Sequence, residues 1–278
     1  MNVPLTPRRA ARHVALEALS TVNRHSMSEA LARPRVHFLF CHAVVPKDVA
    51  KFDHLVGTLA RTHRLLGHSE AVRALHEGDI DVPTVSFSFD DGLQSNLLAA
   101  QTLERHGATG MFFVPTEFVG TPTVSEAREF FGHATEINEP AMTWSDLEML
   151  VARGHEVGNH TARHRTLSQL SRDEATHEIS QGAEMIRDRL GECRHFAWPR
   201  GAFRFFPNEL RDTVFDAEHD SCSSAVRGAH IEPITDPQRL CIRRELIASY
   251  WPVRHSLYFT ARSARRATKG DNLWPDAA

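Results

Sequence analysis

The chain has 278 residues, of which 41% are hydrophobic and 24% charged, and its formal net charge at pH 7 is -3 with histidine neutral. This composition is typical of a soluble globular protein with a sizeable core, and the small net charge excludes a general attraction to nucleic acid or anionic membrane. The sequence has no apolar run of the roughly 20 residues that a transmembrane helix needs, and no signal-peptide core follows its early arginines, so we expect a cytoplasmic location.

Residues 1–34 read as a helical extension that precedes the main pattern, with the clearest helix at residues 11–20. From Val36 onward, strand-like and helix-like segments alternate. Short apolar runs predict buried strands, and apolar residues at helical spacing predict helices. The predicted strands are 36–40, 85–89, 111–114 and 195–198, and the predicted helices are 52–59, 96–106 and 208–215.

Two further helices carry the signature of a capping box, in which a serine and a glutamate three residues later satisfy the free N–H groups of a helix start. Ser145 with Glu148 predicts a helix that ends at Gly154. Ser171 with Glu174 predicts a second helix, which ends at a glycine suited to a left-handed C-terminal cap. These starts and stops divide the middle of the chain into regular units.

Repeated strand–helix units predict a mostly parallel sheet with helices packed outside it. The fold class is therefore α/β, and we expect a closed or nearly closed β/α barrel over residues 35–256. The last segment, 257–278, carries four basic residues and then a proline, and we predict a basic, poorly ordered tail there. In β/α barrels the active-site residues lie where strands end and loops begin.

An acidic pair follows the second of these strands. Asp90 and Asp91 come directly after the apolar run at 85–89, and Gly92 would allow a tight turn that aims both carboxylates at one cleft. The alternative is an exposed Asp-Asp-Gly turn, because aspartate and glycine are common turn residues. Taken alone, the two interpretations are about equally favoured, and the buried strand before the pair favours the functional one.

Two histidines at i and i+4 form the second motif. His160 and His164 would share one face of a helical turn, where both imidazoles could bind the same ion. The chain has 18 histidines, so a surface pair is the better interpretation of this motif alone. One carboxylate and two imidazoles can bind a zinc-like ion, and a second carboxylate can then act as a base. The first two motifs together thus contain what metal-assisted hydrolysis requires.

The third motif is a turn after the predicted strand at 195–198. Pro199, Arg200 and Gly201 would present the free backbone N–H of Arg200, which could stabilise an oxyanion. An ordinary proline–glycine turn is the better interpretation when this motif is taken alone. Its place at a predicted strand end, like the places of the other two motifs, favours one shared site.

Together the three motifs resemble those of the polysaccharide deacetylase family, carbohydrate esterase family four. Residues 88–92 read Ser-Phe-Asp-Asp-Gly, residues 154–161 read Gly-His-Glu-Val-Gly-Asn-His-Thr, and residues 197–201 read Ala-Trp-Pro-Arg-Gly. The resemblance extends from about Val36 to about Leu246. It implies a distorted (β/α)7 barrel of mostly parallel strands, and the Phe-Ala-aromatic-Pro form of the third motif resembles one branch of the family.

The resemblance also implies a role for each motif residue. Asp91, His160 and His164 would bind one divalent metal ion, for which zinc fits best and cobalt, nickel or manganese are alternatives. Asp90 would be the general base that deprotonates metal-bound water, the nucleophile, and the Arg200 N–H would help to hold the oxyanion. The implied enzyme is a hydrolase of linear amides that removes an N-acetyl or other acyl group from an amino sugar in a glycan or glycoconjugate.

The sequence departs from the family pattern at the base and at the acid. Ala197 stands where an arginine commonly tunes the base, and Arg243 or Arg244 is a candidate replacement. No C-terminal Leu-x-His motif supplies the general acid, for which His42 and His230 are candidates. These departures leave the proposed acid and the tuning cation open.

Two other functions also stay open. One is deacylation or deformylation of a small amide, or of a sugar on a nucleotide or lipid carrier, which the expected location favours and which the charge of Arg200 would suit. The other is a non-catalytic carbohydrate-binding relic of the fold, which the missing arginine and the unassigned acid would favour. The expected partner is a carbohydrate bearing an N-acyl group, and neither nucleic acid nor a membrane span is expected.

Overall fold

A computed structural model of the chain describes residues 7–270 and 274, without the side chains of residues 7–10 and 12. Within that range the helices are α1 Pro7–Val22, α2 Arg24–Leu31, α3 Val49–Ala60, α4 His68–Glu77, α5 Asn96–Arg105, α6 Val124–Phe130, α7 Trp144–Ala152, α8 Arg172–Leu190, α9 Leu210–Asp216 and α10 Val253–Arg266. The strands are β1 Arg35–Cys41, β2 Arg64–Leu65, β3 Pro83–Phe89, β4 Gly110–Val114, β5 Glu156–Asn159, β6 His195–Ala197, β7 Ser221–Ser223, β8 Cys241–Ile242 and β9 Arg244–Leu246.

The strands form one parallel sheet that curves into a nearly closed barrel. Neighbouring strands run in the order β8, β7, β6, β5, β4, β3, β1, β9, and the short β2 pairs with β3. The two end strands, β8 and β9, are consecutive in the chain and are separated only by Arg243. One segment therefore completes both ends of the sheet, with β8 beside β7 and β9 beside β1. The result is the distorted (β/α)7 barrel that was expected from the sequence.

Alternation along the strands separates the outer core from the barrel interior. In β3, Phe87 and Phe89 pack with the surrounding helices in the largest apolar cluster, while Ser86 and Ser88 occupy the intervening positions. Ser88 accepts a hydrogen bond from Arg244 on β9, which is separated from β3 by β1. The interior is thus polar toward the carboxyl ends of the strands.

Helix α4 covers the opposite mouth of the barrel, at the amino ends of the strands. His68, the first residue of α4, is fully buried, and its ring lies 4.7 Å from that of His195 and 5.6 Å from that of Phe113. The next residue, Ser69, donates its backbone N–H to Glu156 at the start of β5. Protein fills this mouth, so the functional residues are to be sought at the carboxyl ends of the strands.

The structure confirms the strands predicted at 36–40, 85–89, 111–114 and 195–198 and the helices predicted at 52–59, 96–106 and 208–215, with shifts of a few residues at their ends. The capping box of α8 is also confirmed, because the Ser171 side chain accepts a hydrogen bond from the Glu174 N–H. Apolar runs, helical spacing and one capping box were thus sufficient to predict these strands and helices.

One predicted cap is wrong. Helix α7 is capped by Thr143 with Asp146, two residues before the predicted Ser145 with Glu148. Both pairs have the spacing of a capping box. The backbone is still extended at Thr143, where ψ is 165°, and becomes helical at Trp144, so the earlier pair lies at the true start.

The N-terminal extension is helical, as expected, in α1 and α2. The poorly ordered tail predicted from residue 257 is wrong as far as residue 266, because α10 continues to that point and buries Thr260, Ala261 and Ala264. The arginines at the end of α10 are exposed, and the residues buried beside them are small, so the sequence shows no obvious apolar stripe there. Beyond residue 270 the predicted tail lies outside the described residues, except for Trp274. None of the helices described is long and apolar enough to cross a bilayer.

Candidate active site

The acidic pair lies where β3 ends, at a turn made by two left-handed residues. Asp90 continues the sheet, since its N–H donates to the Cys41 carbonyl. Asp91 and Gly92 have φ values of 75° and 67°, so two carboxylates that would diverge along a regular strand are both directed into the end of the barrel. A Cβ on Gly92 would lie 3.1 Å from the Val114 side chain, and the turn therefore needs glycine for space as well as conformation.

The segment from His160 to His164 is a loop after β5, and the helical turn predicted from its i, i+4 spacing is wrong. Thr161 and His164 have φ values of 67° and 55°, which a right-handed helical turn does not allow. The His160 N–H still donates to the Val114 carbonyl, and the His164 N–H then donates to Thr161 Oγ1 at 3.0 Å. The two imidazoles meet because the chain reverses between them.

Helix α8 holds this loop through a buried glutamate. The Glu178 carboxylate accepts hydrogen bonds from the backbone N–H and Nε of Arg163 at 2.8 and 2.7 Å. The Glu178 carbonyl accepts another from the Ala162 N–H at 3.0 Å. Asn159 Oδ1 accepts from the Thr161 N–H at 2.8 Å. The loop is thus fixed by protein contacts alone.

One carboxylate and two imidazoles converge at this end of the barrel. Asp91 Oδ1 lies 3.6 Å from His160 Nε2 and 3.3 Å from His164 Nε2, and one donor atom from each residue lies within 4.8 Å of the others. His160 Nδ1 lies 2.6 Å from the Ala197 carbonyl. That nitrogen therefore carries the proton, which leaves the Nε2 lone pair facing Asp91. This donor set, with one tautomer already fixed, fits zinc or a related divalent ion.

Asp90 is paired with a buried arginine from β9. Arg244 Nη1 and Nη2 lie 2.7 and 2.9 Å from the two Asp90 oxygens, and Arg244 Nε donates to the Ser224 carbonyl at 2.8 Å. The guanidinium carbon lies 4.5 Å from the centre of the Phe40 ring and 5.2 Å from that of Phe113. Two parallel hydrogen bonds and two aromatic neighbours hold the ion pair in one geometry.

The ion pair at Asp90 shows which of the two candidate arginines, Arg243 or Arg244, replaces the arginine that is missing at Ala197. Arg243, the residue named first from the sequence, packs with its guanidinium 5.7 Å from the Phe203 ring. Arg244 contacts the acidic pair instead. Side chains alternate along a strand, so only one of two neighbouring residues can point into the barrel.

Burial and neighbouring charges shift the pKa of both carboxyl groups, Asp90 and Asp91, in opposite directions. Burial alone would raise the pKa of Asp90, but the Arg244 guanidinium and His160 outweigh it, and that pKa lies below its ordinary value. Burial also acts upward on the pKa of Asp91, yet its close contacts with the His160 and His164 imidazoles hold that pKa well below the ordinary range. Burial lowers the pKa of His164. At neutral pH both carboxyl groups are therefore ionised and His164 is neutral, as metal ligation requires.

The turn after β6 brings Arg200 beside the histidines. Arg200 and Gly201 have φ values of 67° and 60°, and a Cβ on Gly201 would lie 2.2 Å from the Ala225 Cβ. The exposed Arg200 side chain is close enough for its charge to help lower the pKa of His164. A left-handed arginine is strained, and this strain is maintained at the same strand ends as the acidic pair and the histidines.

The two histidines considered as general acids lie at different ends of the barrel. His42 follows β1, and its charge helps to lower the pKa of both Asp90 and Asp91. His230 instead bridges to Val36 near the start of β1, at the mouth that α4 covers. His42 therefore remains a candidate for the general acid. His230 is ruled out, because it lies at the opposite end of the barrel.

The residues missed in the sequence are those that position the site rather than react in it. Glu178 is the example with a readable signal, because it lies beside Ile179 on the stripe that includes Ala175 and Ala183. A carboxylate on a buried stripe requires a partner. Ser224, which holds Arg244 through its carbonyl, gives no such signal because any residue type can accept that bond.

Several solved structures resemble the chain. IcaB from Ammonifex degensii has a TM-score of 0.64 at 21% identity, with 84% of this chain and 97% of that chain covered. The Streptococcus pyogenes deacetylase PplD in complex with acetate has a TM-score of 0.63 at 16% identity, with coverage of 82% and 98%. A de-N-acetylase from Aggregatibacter actinomycetemcomitans has a TM-score of 0.62 at 17% identity, with coverage of 81% and 99%. At these identities the likeness shows a shared fold.

The family itself is shown by sequence. No curated protein sequence matches the chain. Residues 77–217, just over half of the chain, match the family model described as polysaccharide deacetylase. That segment contains the acidic pair, both histidines and the turn at Arg200. The chain therefore belongs to the polysaccharide deacetylase family and is a hydrolase of the amide bonds of N-acetyl groups.

Proposed function

We propose that the chain is a metal-dependent deacetylase that removes an N-acetyl or other acyl group from an amino sugar in a glycan or glycoconjugate. The observation that carries the proposal is the convergence of Asp91, His160 and His164 beside the ionised Asp90. The family supports the amide chemistry. The fixed tautomer of His160 supports a metal, because it directs a free lone pair at the other two ligands.

Asp91, His160 and His164 would hold the ion, with zinc as the best fit and cobalt, nickel or manganese as alternatives. When bound, the ion would polarise the substrate carbonyl and make a nearby water more acidic. The chain itself keeps these ligands deprotonated and oriented. The low pKa of Asp91 and the lowered pKa of His164 serve the first need, and the loop contacts to α8 serve the second.

Asp90 is the proposed general base, which accepts a proton from the attacking water. The bidentate contacts of Arg244 keep this carboxylate ionised and fix its direction. They also make it a weak base. A weak base would be sufficient here, because a bound divalent ion would bring the pKa of the attacking water down toward neutrality.

Two further groups are proposed, one to stabilise the negative charge of the oxyanion and one to protonate the leaving amine. The backbone N–H of Arg200 would stabilise the oxyanion, and the strained turn beside His164 supports this assignment. His42 would return a proton to the leaving amine. Its support is its place at the same end of the barrel, within electrostatic reach of both carboxylates.

Asp90→Asn tests the base separately from the metal. We expect the variant to bind as much divalent metal as the wild type, and to lose turnover by about 10²- to 10⁴-fold, the usual contribution of a general base. Acetate release from an N-acetylated oligosaccharide measures turnover, and elemental analysis of the same preparation measures metal. Near-normal turnover would contradict the role of Asp90.

His160→Ala and Asp91→Ala test the ligands. After loading with zinc, each variant should hold one equivalent less than the wild type. His177→Ala removes an exposed histidine of α8 and should hold the wild-type amount. If His160→Ala and His177→Ala bound equal amounts of zinc, the proposed metal site would be wrong.

The exposed guanidinium of Arg200 gives one reason to consider a sugar on a nucleotide or lipid carrier as the substrate. Its charge lies beside His164 and would attract the phosphate of such a carrier. Arg200→Gln should then lower kcat/KM for carrier-linked N-acyl sugars more than for neutral oligosaccharides, since only the former lose an ion pair. Equal effects on both would favour a neutral glycan. The non-catalytic relic is opposed by Arg244, which occupies the place of the missing arginine at Asp90.

A further inference from the structure

A second group of metal-ligating side chains lies outside the barrel, where α1 meets α10. His13 and Glu17 are one turn apart on α1, and His255 is in the first turn of α10. One donor atom from each lies within 4.8 Å of the others. Over the described part of the chain, this group and the one at Asp91 are the two that meet this condition.

The distances within the second group match those at the active site. Glu17 Oε1 lies 3.0 Å from His255 Nε2 and 3.6 Å from His13 Nε2. The corresponding distances from Asp91 Oδ1 to its two imidazoles are 3.3 and 3.6 Å. A tetrahedral zinc ion with bonds of about 2.0–2.1 Å holds its ligands about 3.4 Å apart. Small side-chain adjustments would therefore bring the three donors to zinc.

The surroundings orient the carboxylate and leave one side open. Arg254 pairs with the second oxygen of Glu17, which leaves Oε1 directed at the two imidazoles. The side chain of His255 is only 3% exposed, whereas that of His13 is 50% exposed. A solvent molecule can reach the fourth position from the side of His13.

Helix α1 has little else to hold it. Among the side chains of α1 that are described, Leu16 is the one buried apolar residue, while Val14 and Val22 are 67% and 84% exposed. The neighbouring α2 is different, because its Met27 and Ala30 join an apolar cluster with α10. The polar group at Glu17 is therefore a main contact between α1 and the rest of the protein.

We propose that His13, Glu17 and His255 form a second divalent-metal site, suited to zinc, which fastens α1 to α10. The site takes two ligands from α1 and one from α10, and water completes the coordination. Both helices must be in place for the three ligands to meet. Zinc binding and the docking of α1 therefore stabilise each other.

The test uses the full, untagged chain carrying His160→Ala, which removes a ligand from the active site. Titration of the metal-free protein with zinc, against a chromophoric chelator, measures stoichiometry and affinity. We expect one equivalent to bind. Adding His13→Ala should weaken this binding roughly tenfold or more, because one of three ligands is lost. Glu17→Gln should do the same while keeping an oxygen for Arg254.

His25→Ala is the matched control. His25 and Glu29 form another i, i+4 pair, 3.1 Å apart on α2, and no third ligand completes it among the described residues. This variant should bind zinc as its parent does. Equal binding by the His13→Ala and His25→Ala variants would overturn the second site. So would absence of zinc binding in the His160→Ala parent, a result that leaves the active-site proposal intact.

Hydrogen exchange supplies a readout independent of stoichiometry. Zinc should slow amide exchange across α1 in the His160→Ala parent, and it should leave α1 unchanged when His13→Ala is added. Amides of α2, which has its own apolar contacts, serve as the internal reference. If zinc protected α1 equally in both proteins, the proposed ligands would be wrong.

Discussion

Arg244 shows how one side chain can replace another from a different strand. In the family pattern an arginine commonly tunes the base from the position of Ala197 on β6, whereas here the guanidinium reaches Asp90 from β9. It is fully buried between Phe40 and Phe113, with its remaining donors directed at protein acceptors. The planar fork matches the carboxylate in a way that an ammonium group cannot.

Replacing Arg244 should affect stability and pH dependence in separable ways. Arg244→Met leaves a buried carboxylate without its cation, and we expect a loss of about 3–5 kcal/mol in the free energy of unfolding, measured with urea. Arg244→Lys retains a charge but loses the bidentate contact. The pKa of Asp90 should then rise toward its ordinary value, so the acidic limb of the kcat/KM profile should move to higher pH.

Arg243→Lys is the control for this pair of variants, because Arg243 is the next residue in the chain but packs on Phe203. Its pH profile should coincide with that of the wild type. If Arg244→Lys also retained the wild-type profile, Arg244 would have no part in setting the ionisation of Asp90.

At the scale of elements, the loop between β5 and α8 is where sequence reasoning failed most clearly. The i, i+4 spacing of His160 and His164 suits a helical turn, and the same spacing also suits a reversed loop with left-handed residues. In the structure, Glu178 on α8 accepts hydrogen bonds from the N–H groups of Ala162 and Arg163 and so fixes the reversed loop. Local spacing alone cannot show a partner that lies on another element.

Gly182 tests how closely α8 must approach that loop. A Cβ at this position would lie 2.3 Å from Asn159 Oδ1 and 3.1 Å from the Thr161 carbonyl carbon. Alanine is the better helix former by about 1 kcal/mol, yet we expect Gly182→Ala to destabilise the protein by about 1–3 kcal/mol through this overlap. It should also weaken metal binding, since Asn159 holds the loop. Thermal unfolding and zinc titration measure the two effects.

Gly57→Ala on α3 is the matched control, because its Cβ would lie 2.9 Å from Cε1 of the His106 ring and would contact side-chain atoms rather than backbone. A side chain shifts more easily than backbone, so this variant should keep its zinc affinity and lose less stability than Gly182→Ala. If both alanine variants behaved alike, helix propensity would account for the results and the close approach would not matter.

The predictable part of the fold consists of elements long enough to show a pattern. β1, β3 and β4 are runs of five to seven residues with an apolar core, and all were predicted. β7 (Ser221–Ser223) and β8 (Cys241–Ile242) are too short to show a periodicity, and pairing with their neighbours determines them. At the site, the ends of the predicted strands identified the proposed reacting groups. They did not identify Arg244 as the partner of Asp90, because the two residues are 154 positions apart in the sequence.

At the scale of the whole molecule, four buried histidines create a shared sensitivity to acid. Burial lowers the pKa of His63 and of His219 to about 4, and it holds those of His37 and His68 well below the ordinary value. In the unfolded chain each returns to about 6.5. Between these values the unfolded state binds more protons than the folded state, so acid favours unfolding.

We therefore expect the free energy of unfolding of the metal-free protein to be steady above about pH 7 and to fall from about pH 6.5 toward pH 4. Each histidine that stays neutral contributes about 1.4 kcal/mol per pH unit, or up to about 5 kcal/mol per pH unit for all four. Urea unfolding across this range measures the slope. His63→Gln should make it shallower by one proton, and a flat profile would mean that these histidines are already protonated in the folded state.

The two strands that complete the sheet, β8 and β9, are also synthesised late, because the chain is made from its N-terminus onward. Both motif carboxylates and both motif histidines leave the ribosome well before Arg244, and so does the whole segment that matches the family model. Until β9 reaches β1, Asp90 has no cation and the barrel has an open seam. We therefore expect the site to reach its final arrangement only after the last strand is inserted.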